Sequence, residues 1–298
     1  MKRIVALLTS FNRRALTVAC IDALLRQRLP EGWKLGVVLV DDGSSDGTAQ
    51  AVAERFPGVR LIHGDGNLYW NGGMRAAMAA AVNGPAGAPE VLLWVNDDLE
   101  LAVDALERLI DVGLRVRAEQ GREPIVVGSV YSRRAQAQSY GAVEFPYAIK
   151  RVTPRFVFSA EHVLPAQSMN GNLVAIFRGA WEAAGDLDPI FTHTMADFDY
   201  GLRARRHGVP LVVAPGYVGY CDRNAAADTY LDAGADLRTR WRNVTGPKGR
   251  PVRAWWVYTW RHAGWLAPLL FAWPYVRALV VSAIPALGGA QPIDVRKE

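Results

Sequence analysis

Apolar residues in the first 130 positions gather in short runs at 4–8, 35–40, 59–62, 91–95 and 125–127, each bounded by polar or turn-forming residues. Apolar runs of this length fit buried strands and are too short for ordinary helices. Between them, amphipathic spacing predicts helices over about 15–28, 46–56, 72–82 and 102–118. An N-cap at Ser45 or Asp46 accounts for the start of the second. Strand and helix in alternation signal βαβ units feeding a parallel sheet. From 128 to 158 the pattern turns irregular and β-branched, which predicts hairpins. A strand at 173–177, helices near 179–184 and 196–207, and short strands near 210–214 and 217–220 complete the domain. The expected fold class is α/β, a mostly parallel central sheet flanked by helices, with a C-terminal helical extension. No internal repeat or low-complexity tract appears.

The regular patterns break near 222–250, where Arg223 and the turn residues Thr245 to Pro251 lie. This divides the chain into an α/β domain over 1–222 and a linker with an aromatic, helical segment over 223–298. From His262 to Ile293 the only charge is Arg277, and Pro268, Pro274 and Pro285 interrupt the stretch. Arg277 leaves uncharged pieces of 15 and 16 residues, short of the ~20 that a spanning helix needs. The expectation is an interfacial or re-entrant membrane anchor, with a helical pair packed on the α/β domain as the alternative. Deleting 252–298 is then expected to leave a soluble domain.

Composition sharpens this picture. Half of the 298 residues are hydrophobic, enough for a sizeable core. The formal charge of +5 comes from 34 Lys and Arg against 29 Asp and Glu, and much of the excess lies between Arg238 and Arg261. Basic residues beside an apolar, Trp-rich segment point to an anionic membrane surface or an acidic ligand, and away from nucleic acid. Cys20 and Cys221 are too few and too far apart for a disulfide framework or a thiolate zinc site. The apolar run at 4–8 is too short for a signal segment. A cytoplasmic protein, peripheral on the inner face of the cell membrane, is expected.

In an open parallel sheet, ligands bind beyond the carboxyl ends of the strands. The candidates there are Thr9 to Arg13, Asp41 to Ser44, Asn67 to Arg75 and Asn96 to Asp98. Asp97 and Asp98 directly follow a buried run; adjacent carboxylates suit a hard divalent ion bridging to phosphate, or the N-cap of the helix at 102–118. Asp197 and Asp199 open an amphipathic helix. A glycosyl or other hydroxyl nucleophile needs a general base, for which Asp197 is the candidate, while Asp199 and Arg203 read as a surface i,i+4 ion pair. Gly72 and Gly73 sit in a glycine-rich loop whose backbone amides could face a diphosphate. Tyr69 and Trp70 offer a flat face to a sugar or belong to the core.

Taken in order, Thr9 to Arg13, Val40 to Thr48, Asn67 to Gly73, Asn96 to Asp98, Gly185 to Asp188 and Asp197 to Arg203 resemble the inverting glycosyltransferases of family two, of the bacterial surface-polysaccharide, rhamnosyltransferase-like type. The resemblance covers about residues 3–220 and implies the GT-A fold, with a Rossmann-like nucleotide-binding half. It also implies a nucleotide-diphosphate-sugar donor, a divalent metal (Mg²⁺ or Mn²⁺) and a glycan or lipid-linked acceptor. By the same resemblance, Thr9 and Asp42 hold the nucleotide base, with Asn12 or Arg13 nearby. Asn67 and Arg75 lie along the nucleotide or diphosphate path. Asp97 contacts ribose or donor sugar, Asp98 ligates the metal, and Asn170, Gly171 and Asn172 form the turn below acceptor and donor sugar. Asp197 is the catalytic base. Three departures stand out: Asn96 replaces the first Asp of the family's motif, Ala196 stands where many members have Glu, and the stretch from Gly219 to Asn224 lacks a His that many members carry. A sugar-nucleotide pyrophosphorylase would want a glycine-rich basic loop where Thr9 to Asn12 lie. A catalytically impaired scaffold subunit at the membrane is the non-enzymatic alternative.

Overall fold

A computed structural model of the chain describes residues 1–146, 153–222, 235–283 and 295–297. Arg223 lies outside the described residues, as does most of the segment that joins the α/β domain to the C-terminal helices. The elements run β1 (Lys2–Ser10), α1 (Arg14–Leu25), β2 (Trp33–Asp41), α2 (Thr48–Arg55), β3 (Arg60–His63), α3 (Tyr69–Val82), β4 (Val91–Val95), β5 (Glu100–Leu101), α4 (Ala105–Gln120), β6 (Ile125–Ser132), β7 (Ala137–Tyr140), β8 (Ala142–Glu144) and β9 (Arg155–Phe158). Then come β10 (Leu164–Pro165), β11 (Ser168–Met169), β12 (Leu173–Phe177), α5 (Arg178–Ala184), α6 (Ala196–Arg206), β13 (Leu211–Tyr220), α7 (Leu237–Thr245), α8 (Val252–His262), α9 (Ala267–Ala283) and β14 (Val295–Lys297).

The main sheet has the order β10-β13-β6-β12-β4-β1-β2-β3, with β5 and β7 added at its margin. The half β3-β2-β1-β4 is parallel throughout, whereas β12 runs antiparallel between β4 and β6. Chain order reverses direction across β1: β2 lies on one side and β4 on the other. That is a topological switch point, and it opens a crevice at the carboxyl ends of β1 and β4. Alternation along β1 divides the core. Val5 and Leu7 pack with α3, α6 and α8, whereas Ile4, Ala6 and Leu8 pack with α1 and α4. A second, smaller sheet (β11-β8-β9-β14) holds the expected hairpin region.

Four expectations are corrected. The strands expected at 210–214 and 217–220 are one strand, β13, whose register shifts between Val213 and Gly219. Helix α3 starts at Tyr69, so Gly72 and Gly73 belong to its first turns, and the Gly72 amide is spent on Leu68 O at 3.0 Å. The glycine at 73 serves packing, because a β-carbon there would overlap the Thr9 side chain. The N-cap of α2 is Gly47, at φ 79°, although Asp46 Oδ1 still accepts from the Thr48 amide at 3.1 Å. Lastly, α8 is no detached tail: Ala254, Trp255 and Tyr258 belong to the same buried cluster as β1 and α6. No helix among the described residues is long and apolar enough to cross a membrane.

Candidate active site

The carboxyl ends of β1, β2 and β4, the turn before β12 and the start of α6 converge on one cleft of about 690 Å³. Thr9, Arg13, Asp42, Trp70, Asp97, Asp98, Asn170, Gly171, Asn172 and Asp197 all line it. Three candidates do not. Asn12, at φ 52°, turns away to hold the β2–α2 loop, donating from its amide to Ser44 Oγ at 2.9 Å and accepting from Ser45 N at 2.8 Å. Asn67 is exposed on its own turn. Arg75 pairs with Asp186 at 3.0 Å instead.

The acids after β4 do not cap the next helix, whose N-cap is Asp104. Instead Arg13 Nη1 donates to Asp98 Oδ2 at 2.7 Å and to Asp97 Oδ1 at 3.2 Å. Asp97 is buried and accepts from Thr17 Oγ1 at 3.3 Å, so it is anchored to α1. Burial raises its pKa, against the opposing pull of Arg13 and the Ser10 and Thr17 hydroxyls. Asp98 is more open, and its other oxygen accepts from Cys221 Sγ at 3.4 Å. Burial, then Asp98, pushes the Cys221 thiol up to about 12. Among the described residues no group of three His, Cys, Asp or Glu is placed to hold a metal ion. One or two carboxylates at a cleft edge fit a hard divalent cation that completes its shell with substrate phosphate and water, and do not fit an all-protein cage.

Asn96 has a partner that explains its amide. The Trp70 indole donates to Asn96 Oδ1 at 3.1 Å, its ring packs edge-on against Trp94, and Gly171 leaves room for it. Trp70 therefore bridges both readings, part core and part cleft wall. Asp42 is buried, and its carboxylate accepts from the amides of Gly66, Leu68 and Tyr69 at 2.9, 3.2 and 2.9 Å. It builds the turn that starts α3 while facing the cleft.

Asp197 accepts from Gly171 N at 3.1 Å and Phe198 N at 2.8 Å. Burial raises its pKa, outweighing these amides and the Asn170 side chain. A carboxylate so placed is a stronger base than one in water, and it is wired to the turn at 170–172. Asn170 Oδ1 is buried with no hydrogen-bond partner among the described residues, which is uncommon in a protein interior. Ala196 is buried completely, so the place of the acidic neighbour is filled by core.

Asp199 corrects the expectation of a surface pair. It is 0% exposed and accepts from Arg203 Nε at 2.8 Å, Arg261 Nη1 at 2.7 Å and His262 Nε2 at 2.8 Å. Burial acts to raise its pKa, but the His262, Arg203 and Arg261 hydrogen bonds more than offset it and hold the carboxyl below its ordinary range.

The cleft also contains residues that sequence reasoning missed: His193, Thr194 and Lys248. Asn71 brings the first two in, its amide donating to Thr192 O at 3.2 Å and its side chain to Asp188 O at 2.9 Å. Thr194 Oγ1 in turn donates to Gly249 O at 2.8 Å, which seats Lys248 at the rim. The signal for Lys248 was present, a lone Lys inside a Gly/Pro turn, but nothing local says that the turn folds back onto Thr194, 55 positions before Gly249.

Comparison with known proteins agrees with this geometry. The family model described as Glycosyl transferase family 2 matches residues 6–172. The N-acetylglucosaminyl-diphospho-decaprenol L-rhamnosyltransferase of Mycobacterium tuberculosis, in each of two strains, is 27% identical over 197 residues, 61% of this chain. The match spans 64% of that relative's length, under two thirds. Among solved structures, a mannosyltransferase from Pyrobaculum calidifontis in complex with GDP-Man and Mn²⁺ superimposes on 98% of this chain and 77% of its own, with TM-score 0.55 at 18% identity, a likeness of fold.

Proposed function

The chain belongs to glycosyl transferase family 2 and has a GT-A fold, and on that footing we propose that it moves one sugar from a nucleotide-diphosphate donor to a glycan or lipid-linked acceptor, with inversion at the anomeric carbon. The observation that carries this reading is the single cleft that Asp98 and Asp197 share, though they lie 99 residues apart in the chain. Thr9 and Asp42 line the nucleotide end, and Asp97 the ribose or donor sugar. Trp70 and the turn at 170–172 form the wall and floor of the sugar pocket. Asp98 would hold a divalent ion, which when bound would supply charge stabilisation to a departing diphosphate.

Asp197 takes the proton from the acceptor hydroxyl. Its raised pKa suits that task, since a base works best with a pKa near the operating pH. Asn170 and the Gly171 amide fix the carboxylate and so aim it. Asn12, Asn67 and Arg75 are assigned instead to shaping the loops around the cleft. Because the relative acts in the chemistry its name states, a deoxyhexose such as rhamnose is the first donor to test, with a polyprenyl-diphosphate-linked sugar as acceptor. The catalytic residues lie within 1–222, and the segment 223–298 seats the protein at a membrane surface.

Asp197→Asn tests the assignment. Transfer should fall by roughly 10²–10⁴-fold, the usual contribution of a positioned base, while donor affinity measured by calorimetry stays within about twofold. Loss of donor binding instead removes Asp197 from the base role. In the wild type, the acid limb of the rate profile should lie above the ordinary carboxylate range, because Asp197 must ionise to act and burial delays that.

A further inference from the structure

Arg13 occupies one oxygen of Asp98, the carboxylate that would hold the metal. Its Nη1 lies 2.7 Å from Asp98 Oδ2 and 3.2 Å from Asp97 Oδ1. A guanidinium at that range repels a dication from the same oxygen, and more strongly in a half-buried cleft than in water. The other Asp98 oxygen offers little relief, since it faces the Cys221 thiol at 3.4 Å.

The root of the arm is tied to its own helix, and its end is held by the two carboxylates alone among the hydrogen bonds described. The Arg13 carbonyl accepts from Thr17 N at 2.9 Å and Thr17 Oγ1 at 3.0 Å, tying the backbone to the first turn of α1. The side chain is 35% exposed, against 7% for Asp97 and 17% for Asp98. Asp97 keeps its Thr17 hydrogen bond if the guanidinium leaves, while Asp98 loses its charged partner. A diphosphate in the cleft is a second anion for Arg13, one that a planar guanidinium can grip with two parallel hydrogen bonds.

We propose that Arg13 is a metal-excluding arm: in the unliganded protein it occupies Asp98, and the diphosphate of the donor draws it off, so that a divalent ion binds Asp98 only together with the nucleotide. This rests on the metal role assigned to Asp98 above. By linkage the coupling is reciprocal, so metal strengthens nucleotide binding as much as nucleotide strengthens metal binding. The donor then brings in its own ion, and a protein without donor keeps its adjacent carboxylates neutralised by a residue of its own.

The test is Mn²⁺ binding to the full chain, read from the paramagnetic resonance of the free ion, alone and with UDP, GDP or dTDP. The wild type should take Mn²⁺ weakly alone and roughly tenfold or more tightly with the nucleotide that binds, the change expected when one charge-assisted contact is traded. Arg13→Met should take Mn²⁺ alone roughly tenfold or more tighter than wild type, with the gain from nucleotide much reduced. Arg13→Gln, which puts an uncharged amide donor in place of the guanidinium, reads the same effect if the Met variant does not fold. Arg13→Lys, which keeps the charge, should keep the coupling. Unchanged Mn²⁺ affinity in both uncharged variants, or a wild type that binds Mn²⁺ equally well with and without nucleotide, overturns the arm. Failure of the wild type to take up Mn²⁺ with any of the three diphosphates overturns instead the metal role of Asp98.

Discussion

At the scale of single residues, His193 is the group whose ionisation the fold disturbs most usefully for measurement. Burial, then the positive charges of Lys248 and Arg13, brings its pKa from 6.5 down to about 4. The folded protein therefore holds the ring neutral where the unfolded chain would protonate it. A pKa depressed by folding contributes stability that is present above the unfolded value and is lost as pH falls through the folded one. The window here runs from 6.5 to about 4, and the loss is at most about 3 kcal/mol. Urea unfolding at pH 7 and at pH 4.5 should show wild type losing more stability between them than His193→Gln; equal losses refute the assignment. Gly171 makes a steric prediction. A β-carbon there would overlap the Trp70 ring, so Gly171→Ala should cost about 1–3 kcal/mol, as overpacking does. It should also weaken donor binding by displacing the Trp70 wall of the sugar pocket. A melting temperature and donor affinity like wild type's would show that the wall gives way freely.

At the scale of elements, the junction of α6 and α8 fixes the start of the helix that carries Asp197. Asp199 is buried and its partners Arg261 and His262 come from α8. Arg261 also reaches Asp188 at 2.8 Å, in the loop that leads to His193. Removing one partner from such a cluster leaves a charge in the core uncompensated, which costs about 3–5 kcal/mol. Asp199→Asn and the pair Arg261→Met with His262→Leu should each lower the melting temperature, but the triple variant should lose less than the sum. Strict additivity would show that the groups do not act together. The same junction marks where sequence reading stops. Residues 91–95 were legible as a strand because every position is apolar, and Asp97 and Asp98 were legible because such a strand carries the next few residues to the sheet edge. Asp199 read as a surface residue because its helix is amphipathic, and only a helix some 60 positions later covers that face. Asn12, Asn67 and Arg75 belong to motif segments, yet turn conformation and a distant partner, Asp186, decide where their side chains go. His193 and Lys248 could not be placed in the site for the converse reason, being carried to the cleft by loop-to-loop hydrogen bonds that no local pattern encodes.

At the scale of the whole molecule, the C-terminal helices present two different faces. One face of α8 belongs to the core, so removing 252–298 would strip Asp199 of two partners and expose the surface that Tyr258 and Trp255 cover. Truncation is thus expected to unfold the α/β domain, and does not test membrane binding. The other face is left to solvent: Trp256 and Trp260 are about half exposed, Trp265 78%, Leu269 65% and Trp273 58%. Soluble chains seldom present such a continuous apolar surface, and aromatic residues favour the depth of lipid headgroups. Substituting the exposed side chains isolates that role. Trp265→Ser, Leu269→Ser and Trp273→Ser take away only side chains that are more than half exposed, so stability should change by no more than about 1 kcal/mol. Binding to vesicles containing anionic lipid should fall by roughly tenfold or more, since each apolar side chain withdrawn from water contributes about 1.5–3 kcal/mol. Transfer to a short, water-soluble acceptor should be unaffected, while transfer to a polyprenyl-linked one in vesicles should drop with the binding. If the triple variant sediments with vesicles as the wild type does, the aromatic face has another use, and the protein reaches its acceptor by some other surface.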